Sequence, residues 1–191
     1  MKGRALLTLG FLVVGCGGEY GLGPVKQASL SYEAHPAPPD PIEVAAKPCK
    51  YADVDRCIER CQSGSASSCN AVGVLFEYGQ GTTADSTIAS GFYSRACDAS
   101  YAPGCTNLGW LYSLGRGVPR DAQQAMLLFN QAFDFSKVAC HHGSGRGCLM
   151  AGELILQGQV EAPHEGDELA LFQRACVLGE ARGCDYAETL R

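Results

Sequence analysis

The 191-residue chain has no excess of basic charge: 15 Lys and Arg stand against 20 Asp and Glu, giving a formal net charge of −5 and a pI near 5.3. Binding to a phosphate backbone relies on clustered positive charge, so nucleic acid is not an expected partner. Histidines are few and scattered, at His35, His141, His142 and His164, and no C-x2-C pair occurs; no metal is expected. There is no S-x-x-K, S-D-N or K-T-G element, no G-x-S-x-G elbow and no phosphate-binding loop. Ser136 and Lys137 are adjacent, which on a helix turns them to different sides. Accordingly no catalytic residue and no cofactor is expected. The chain has a single Trp, Trp110, the one indole available as a recognition anchor. Nor does any apolar run approach the roughly 20 residues that span a bilayer as a helix.

The longest apolar run is Ala5 to Val14, ten residues behind the basic Met1–Arg4. It reads as a signal peptide, residues 1–15. Val13-Val14-Gly15-Cys16 resembles the lipobox of bacterial lipoproteins, in which the Cys is acylated and becomes the new N-terminus. Cleavage there leaves 13 basic against 20 acidic residues, a net charge of −7. Several acyl chains, each CH₂ contributing about 0.8 kcal/mol when buried, hold a protein stably on a membrane. Residues 16–48 are rich in Gly, Ala and Pro, with Pro36, Pro38, Pro39 and Pro41 close together, and read as a semi-rigid tether. With Gly17 after the acylated Cys, the outer membrane facing the periplasm is the expected site.

Cysteine is abundant, 11 in all, and 46 % of residues are hydrophobic, enough for a core. Apart from Cys16 the cysteines form five pairs at one spacing: Cys49/Cys57, Cys61/Cys69, Cys97/Cys105, Cys140/Cys148 and Cys176/Cys184, each eight positions apart. The later pairs recur at intervals of 36, 43 and 36 residues, the period of a solenoid. After the second Cys of a pair, Gly follows at plus four (Gly73, Gly109, Gly152) and plus ten (Gly79, Gly115, Gly158). Apolar residues at plus three, six and seven complete one helical face. Gly inside a helix costs about 1 kcal/mol against Ala, so the plus-four glycines need a packing reason, a close approach of two helices. The plus-ten glycines stand where a helix ends. Asp85 and Asp121 stand where a second helix begins, and Gly64, Gly143 and Gly179 mark the turns between units. Each unit is therefore an antiparallel helical hairpin. In the long period, Phe129, Ala132 and Phe133 are spaced like Tyr93, Ala96 and Cys97, and Cys140 then arrives seven residues late. Seven residues is nearly two turns, so one extended helix over about Asp121 to His141 keeps its buried face.

The segment from Cys105 to Asp121 (CTNLGWLYSLGRGVPRD) and its copy from Cys69 to Asp85 resemble the Sel1-like repeat family, relatives of tetratricopeptide repeats, and most closely its cysteine-rich branch. The resemblance covers residues 49–191 and weakens at Gln159 to Gly166. It implies an all-α, right-handed solenoid of antiparallel helical hairpins, each stapled by a disulfide. The eight-residue step can bring two Cα atoms within disulfide reach across a short turn, so neighbours are paired. Cys57 and Cys61, one helical turn apart, have diverging side chains. Each bridge closing so short a loop contributes about 2–3 kcal/mol in the chain-entropy model.

Some members of that branch are labelled penicillin-binding or β-lactamase, a hydrolase alternative that these residues do not support by motif. Hairpin solenoids present aligned side chains to a peptide or protein, so a scaffold or adaptor is expected, a monomer bound to an envelope protein or peptide. The candidate contact residues lie on the first helices and the loops after them: Glu77, Tyr78, Trp110, Ser113, Arg116 and Glu153.

Overall fold

In the computed structural model residues 53–164 and 166–191 are described, all within one compact unit. The expected signal peptide 1–15, the expected tether 16–48, the expected lipidation site Cys16 and the expected bridge partner Cys49 lie outside the described residues. Eight helices and no strand make up the described residues: α1 (Val54–Gln62), α2 (Ala66–Tyr78), α3 (Ser86–Asp98), α4 (Ala102–Leu114), α5 (Ala122–His141), α6 (Gly145–Leu156), α7 (Asp167–Val177) and α8 (Ala181–Thr189). Each packs against the next in chain order, and α2 also touches α4, so the fold is an all-α solenoid of antiparallel hairpins.

Local chemistry sets the helix ends. Asp85 Oδ1 accepts from the backbone N–H groups of Thr87 (2.8 Å) and Ile88 (3.0 Å), and Asp121 Oδ1 does the same for Gln123 and Gln124 (both 2.9 Å). Two otherwise unpaired donors are satisfied at each start. Gly79 and Gly115 close α2 and α4 in the left-handed conformation. Gly158 shares that conformation but lies one residue beyond the cap of α6, Gln157. In the last full unit His164 falls where Asp85 and Asp121 stand. No side chain caps α7, which starts two positions late; Asp167 accepts from the N–H of His164 instead, at 3.0 Å.

The plus-four glycines have the packing reason their helix cost demands. A Cβ built on Gly73 would lie 2.5 Å from the Tyr93 ring, on Gly109 2.8 Å from the Phe129 ring, and on Gly152 2.7 Å from the Phe172 ring. Each ring lies 24 positions after the Cys that opens its unit, so one aromatic side chain per hairpin is seated on a bare helix backbone. Tyr93 and Phe172 are wholly buried.

A second glycine register, unread in the sequence, lies directly before the later Cys of three pairs. A Cβ on Gly104, Gly147 or Gly183 would come within 2.5 to 2.8 Å of the Cβ of Ala96, Ala139 or Ala175, and within 2.8 to 2.9 Å of the backbone N of the Cys that follows that Ala. Here two helices pass with backbone nearly against backbone. Immediately beside this pass lie the bonds Cys97–Cys105, Cys140–Cys148 and Cys176–Cys184, with Cα atoms 4.5 to 4.6 Å apart, and Cys61–Cys69, where Ser68 stands in the glycine's place, has the same 4.6 Å. Cys57 is also disulfide-bonded. The turns between these helices take Gly64, Gly143 and Gly179 to positive φ, and at the corresponding place Ser100 adopts φ 59° without being glycine.

The long helix is present as expected. α5 runs 20 residues, and Ala125, Leu128, Phe129, Ala132, Phe133, Ser136 and Cys140 form its buried stripe. It carries two registers in succession. Phe129 packs on Gly109 of α4, whereas the carbonyl of Ser136 faces Gly147 of α6, the position that Tyr93 and Phe172 hold toward Gly104 and Gly183. Ser136 thus replaces an aromatic residue, and its buried Oγ has no hydrogen-bond partner.

An added methyl at Gly104 meets backbone that cannot move away, so Gly104→Ala should lower stability by about 2 kcal/mol, the usual cost of overpacking. Relief of the left-handed strain makes Ser100→Gly the opposite case, a gain of about 0.5–1 kcal/mol. Urea unfolding of the oxidised protein measures both; equal midpoints for the two variants would contradict this account of the turns.

Candidate functional site

The first helices of successive hairpins are joined by polar contacts between side chains. On α2 and α4, Asn107 Nδ2 donates to Asn70 Oδ1 at 2.9 Å. Near the other end of α2, Glu77 Oε2 accepts from the Tyr93 hydroxyl at 2.7 Å, and Glu77 Oε1 pairs with Arg116 at 3.1 Å. Arg116 lies in the loop after α4, between Gly115 and Gly117. A Cβ on Gly117 would lie 2.2 Å from the Ser86 backbone, so this loop presses on the start of α3. The pair therefore fastens one unit's loop to the preceding unit. On α6, Glu153 pairs with Arg182 of α8, whose guanidinium also reaches Tyr186.

Electrostatics follow burial. Desolvation, the hydrogen bond to Glu77 and the Glu77 charge push the Tyr93 phenol far above its ordinary range, so it remains a neutral donor. Burial also raises Glu153 above the usual carboxylate range, against the lowering pull of Arg182.

The six candidate contact residues separate into two groups. Glu77, Arg116 and Glu153 spend their charge internally, and the Glu77 side chain is only 9 % exposed. The expectation of an open Glu77 is corrected for that reason: a buried Tyr hydroxyl on the next helix claims its carboxylate. Ser113 offers its carbonyl to Arg120 Nε at 3.1 Å. Trp110 is half-buried, its ring edge-on to Phe129 at 5.3 Å, and is as much a packing residue as an anchor. Tyr78, by contrast, is 62 % exposed.

Leu114, absent from the sequence expectation, is exposed at the same register on α4 that Tyr78 holds on α2, nine residues after the second Cys. Aligning the repeats by their cysteines would have found it. Met126, Leu127 and Val138 expose further apolar surface on α5. Among the described residues no group of three His, Cys, Asp or Glu side chains converges as a metal site, and no helix is long and apolar enough to cross a membrane.

Because Glu77 satisfies a buried hydroxyl, Glu77→Ala should destabilise the fold by about 2–3 kcal/mol, where a solvated contact residue would change it by about 0.5 kcal/mol or less. Denaturant titration separates the two. For Glu153 the raised folded-state pKa means that ionisation disfavours the native state, so its contribution is present at low pH and lost as pH rises from 4.5 through the folded value. Melting curves should therefore show Glu153→Gln gaining on the wild type over that rise, and a difference constant with pH would refute it.

The Sel1 repeat model matches residues 66–101 and 102–134, each beginning at the first residue of a first helix. Comparison with curated proteins gives no match. Among solved structures, a Sel1 repeat protein from Oxalobacter formigenes is 21 % identical over 64 % of this chain and 48 % of its own, with a TM-score of 0.46. A protective antigen of uropathogenic Escherichia coli strains with an SLR fold is 22 % identical over 72 % of this chain and 28 % of its own, at 0.49. Helicobacter pylori cysteine rich protein B is 20 % identical over 71 % of this chain and 96 % of its own, at 0.45. The chain thus spans about half the length of the first and under a third of the second. The helical array of this chain is a solenoid that carries Sel1 repeats.

Proposed function

We propose that this protein is a lipid-anchored bacterial envelope protein, facing the periplasm from the outer membrane, whose Sel1 repeat array binds another protein or a peptide. A helical repeat scaffold is suited to protein binding because successive units repeat the same surface position. The observation that carries the reading is the exposed apolar pair Tyr78 and Leu114, at one register on consecutive first helices. Large side chains left in water at matching positions are ready anchors for an extended partner. Lipid anchoring rests on the lipobox-like Val13-Val14-Gly15-Cys16 and the short apolar run before it.

The hydrolase alternative gains nothing from the fold. Ser136 is buried and lacks a hydrogen-bond partner, while Lys137 is exposed and lies over the Phe133 ring at 5.2 Å. Nucleophile and base do not meet.

Crosslinking in intact envelopes, followed by mass spectrometry, tests the reading. One discrete partner should be recovered with the wild type and about tenfold less with Tyr78→Asp/Leu114→Asp, the factor that about 1.4 kcal/mol of lost contact produces. Cys16→Ser should abolish metabolic labelling with palmitate and move the protein to the soluble fraction. Undiminished capture by the double variant would remove the proposed surface, and unchanged fractionation of Cys16→Ser the anchor.

A further inference from the structure

Three of the four described disulfides are sealed inside the solenoid, and the fourth is not. Cys61, Cys69, Cys97, Cys105, Cys140 and Cys148 are each at most 5 % exposed and belong to the buried clusters. Cys176 and Cys184 are both partly exposed and belong to none of them. The two also line an open cleft of about 370 Å³, together with Gln173, Val177, Glu188 and Arg191. The physical reason is visible in the register. At the plus-four position, where α2, α4 and α6 carry a glycine that receives an aromatic ring, α8 carries the exposed Glu188. A ring cannot be seated there, and the outer side of α8 is open among the described residues.

We infer that Cys176–Cys184 is a thiol–disulfide exchange site, opened by a dithiol reductant while the interior bridges stay closed. Exchange requires a thiolate to reach a sulfur in line with the bond, so access governs which bridge reacts in the native state. One thiolate of the dithiol attacks one of the two Sγ atoms and forms a mixed disulfide; the other sulfur leaves as a thiolate and takes up a proton. The second thiol of the reductant then attacks its own sulfur in the mixed disulfide, which frees the remaining cysteine and closes the reductant's own disulfide. Two electrons pass from dithiol to bridge.

The consequence is local. α8 is held by its packing on α7, which buries Ala187 and stacks Tyr186 on Phe172, and by this bridge. Reduction therefore loosens the last helix while the hairpins before it remain intact.

The test uses the full oxidised chain, below its melting temperature, with dithiothreitol as the probe. Samples quenched with iodoacetamide over time are mapped by mass spectrometry. Cys176 and Cys184 should be alkylated at least about tenfold faster than the cysteines of the other three described bridges, in step with each other. Hydrogen exchange on the partly reduced protein should rise in residues 181–189 and stay unchanged in α4. Alkylation of Cys97/Cys105 or Cys140/Cys148 at the same rate as Cys176/Cys184 overturns the inference, as does reduction of all the bridges in one cooperative step.

Discussion

Everything in this solenoid depends on how closely the end of one helix passes the start of the next. At three of the four described bridges the chain has Ala then Cys on one helix and Gly then Cys on the other, and the Cα atoms of the bonded cysteines stand 4.5 to 4.6 Å apart. Packed helices ordinarily keep their axes 8–10 Å apart with side chains between them. A glycine leaves room for this approach at three of the passes, and Cys61–Cys69 reaches the same 4.6 Å with Ser68 in the glycine's place, so the disulfide is what the four described passes share. Such bridges add to a hydrophobic core that runs through the hairpins.

The same constraint explains α5. A helix that must pass tightly against both neighbours has to present an aromatic ring to the glycine of the helix before it and a small residue with a Cys to the helix after it. In α3 one set, Tyr93, Ala96 and Cys97, serves α2 with its ring and α4 with its backbone. In α5 the two duties are separated by seven residues: Phe129 serves α4, and Ser136, Ala139 and Cys140 serve α6. Because seven residues nearly restores the helical phase, both sets lie on one buried stripe, and α6 is displaced along the α5 axis by about 10 Å. The buried Ser136 hydroxyl without a partner marks the place where an aromatic residue would otherwise sit.

Stitching and display are divided among the surface residues. The Glu77–Tyr93–Arg116 set and the Glu153–Arg182 pair join successive units, and charge used in this way is no longer offered to a partner. Among the exposed apolar side chains, Tyr78 and Leu114 repeat one register on consecutive first helices, and Met126 and Leu127 add apolar surface on α5. Recognition on such a surface would come from shape and apolar contact, with the surrounding negative charge of the chain deciding which partners approach.

The amino-acid sequence by itself determined the hairpin repeat, the nearest-neighbour bridges among residues 61–184, the Asp caps and the length of α5, because each is a local matter of helical period, turn chemistry or a short loop. Ser100 takes the left-handed turn that the register assigns to Gly64, Gly143 and Gly179, and it is the fold around it that holds a non-glycine residue there. Only the tertiary structure decided that Glu77 is spent on Tyr93, 16 residues away, that Arg116 belongs to the preceding unit, and that one bridge is left open to solvent. Those outcomes depend on which side chains of different hairpins come face to face, and spacing along a chain carries no record of what a neighbouring helix covers.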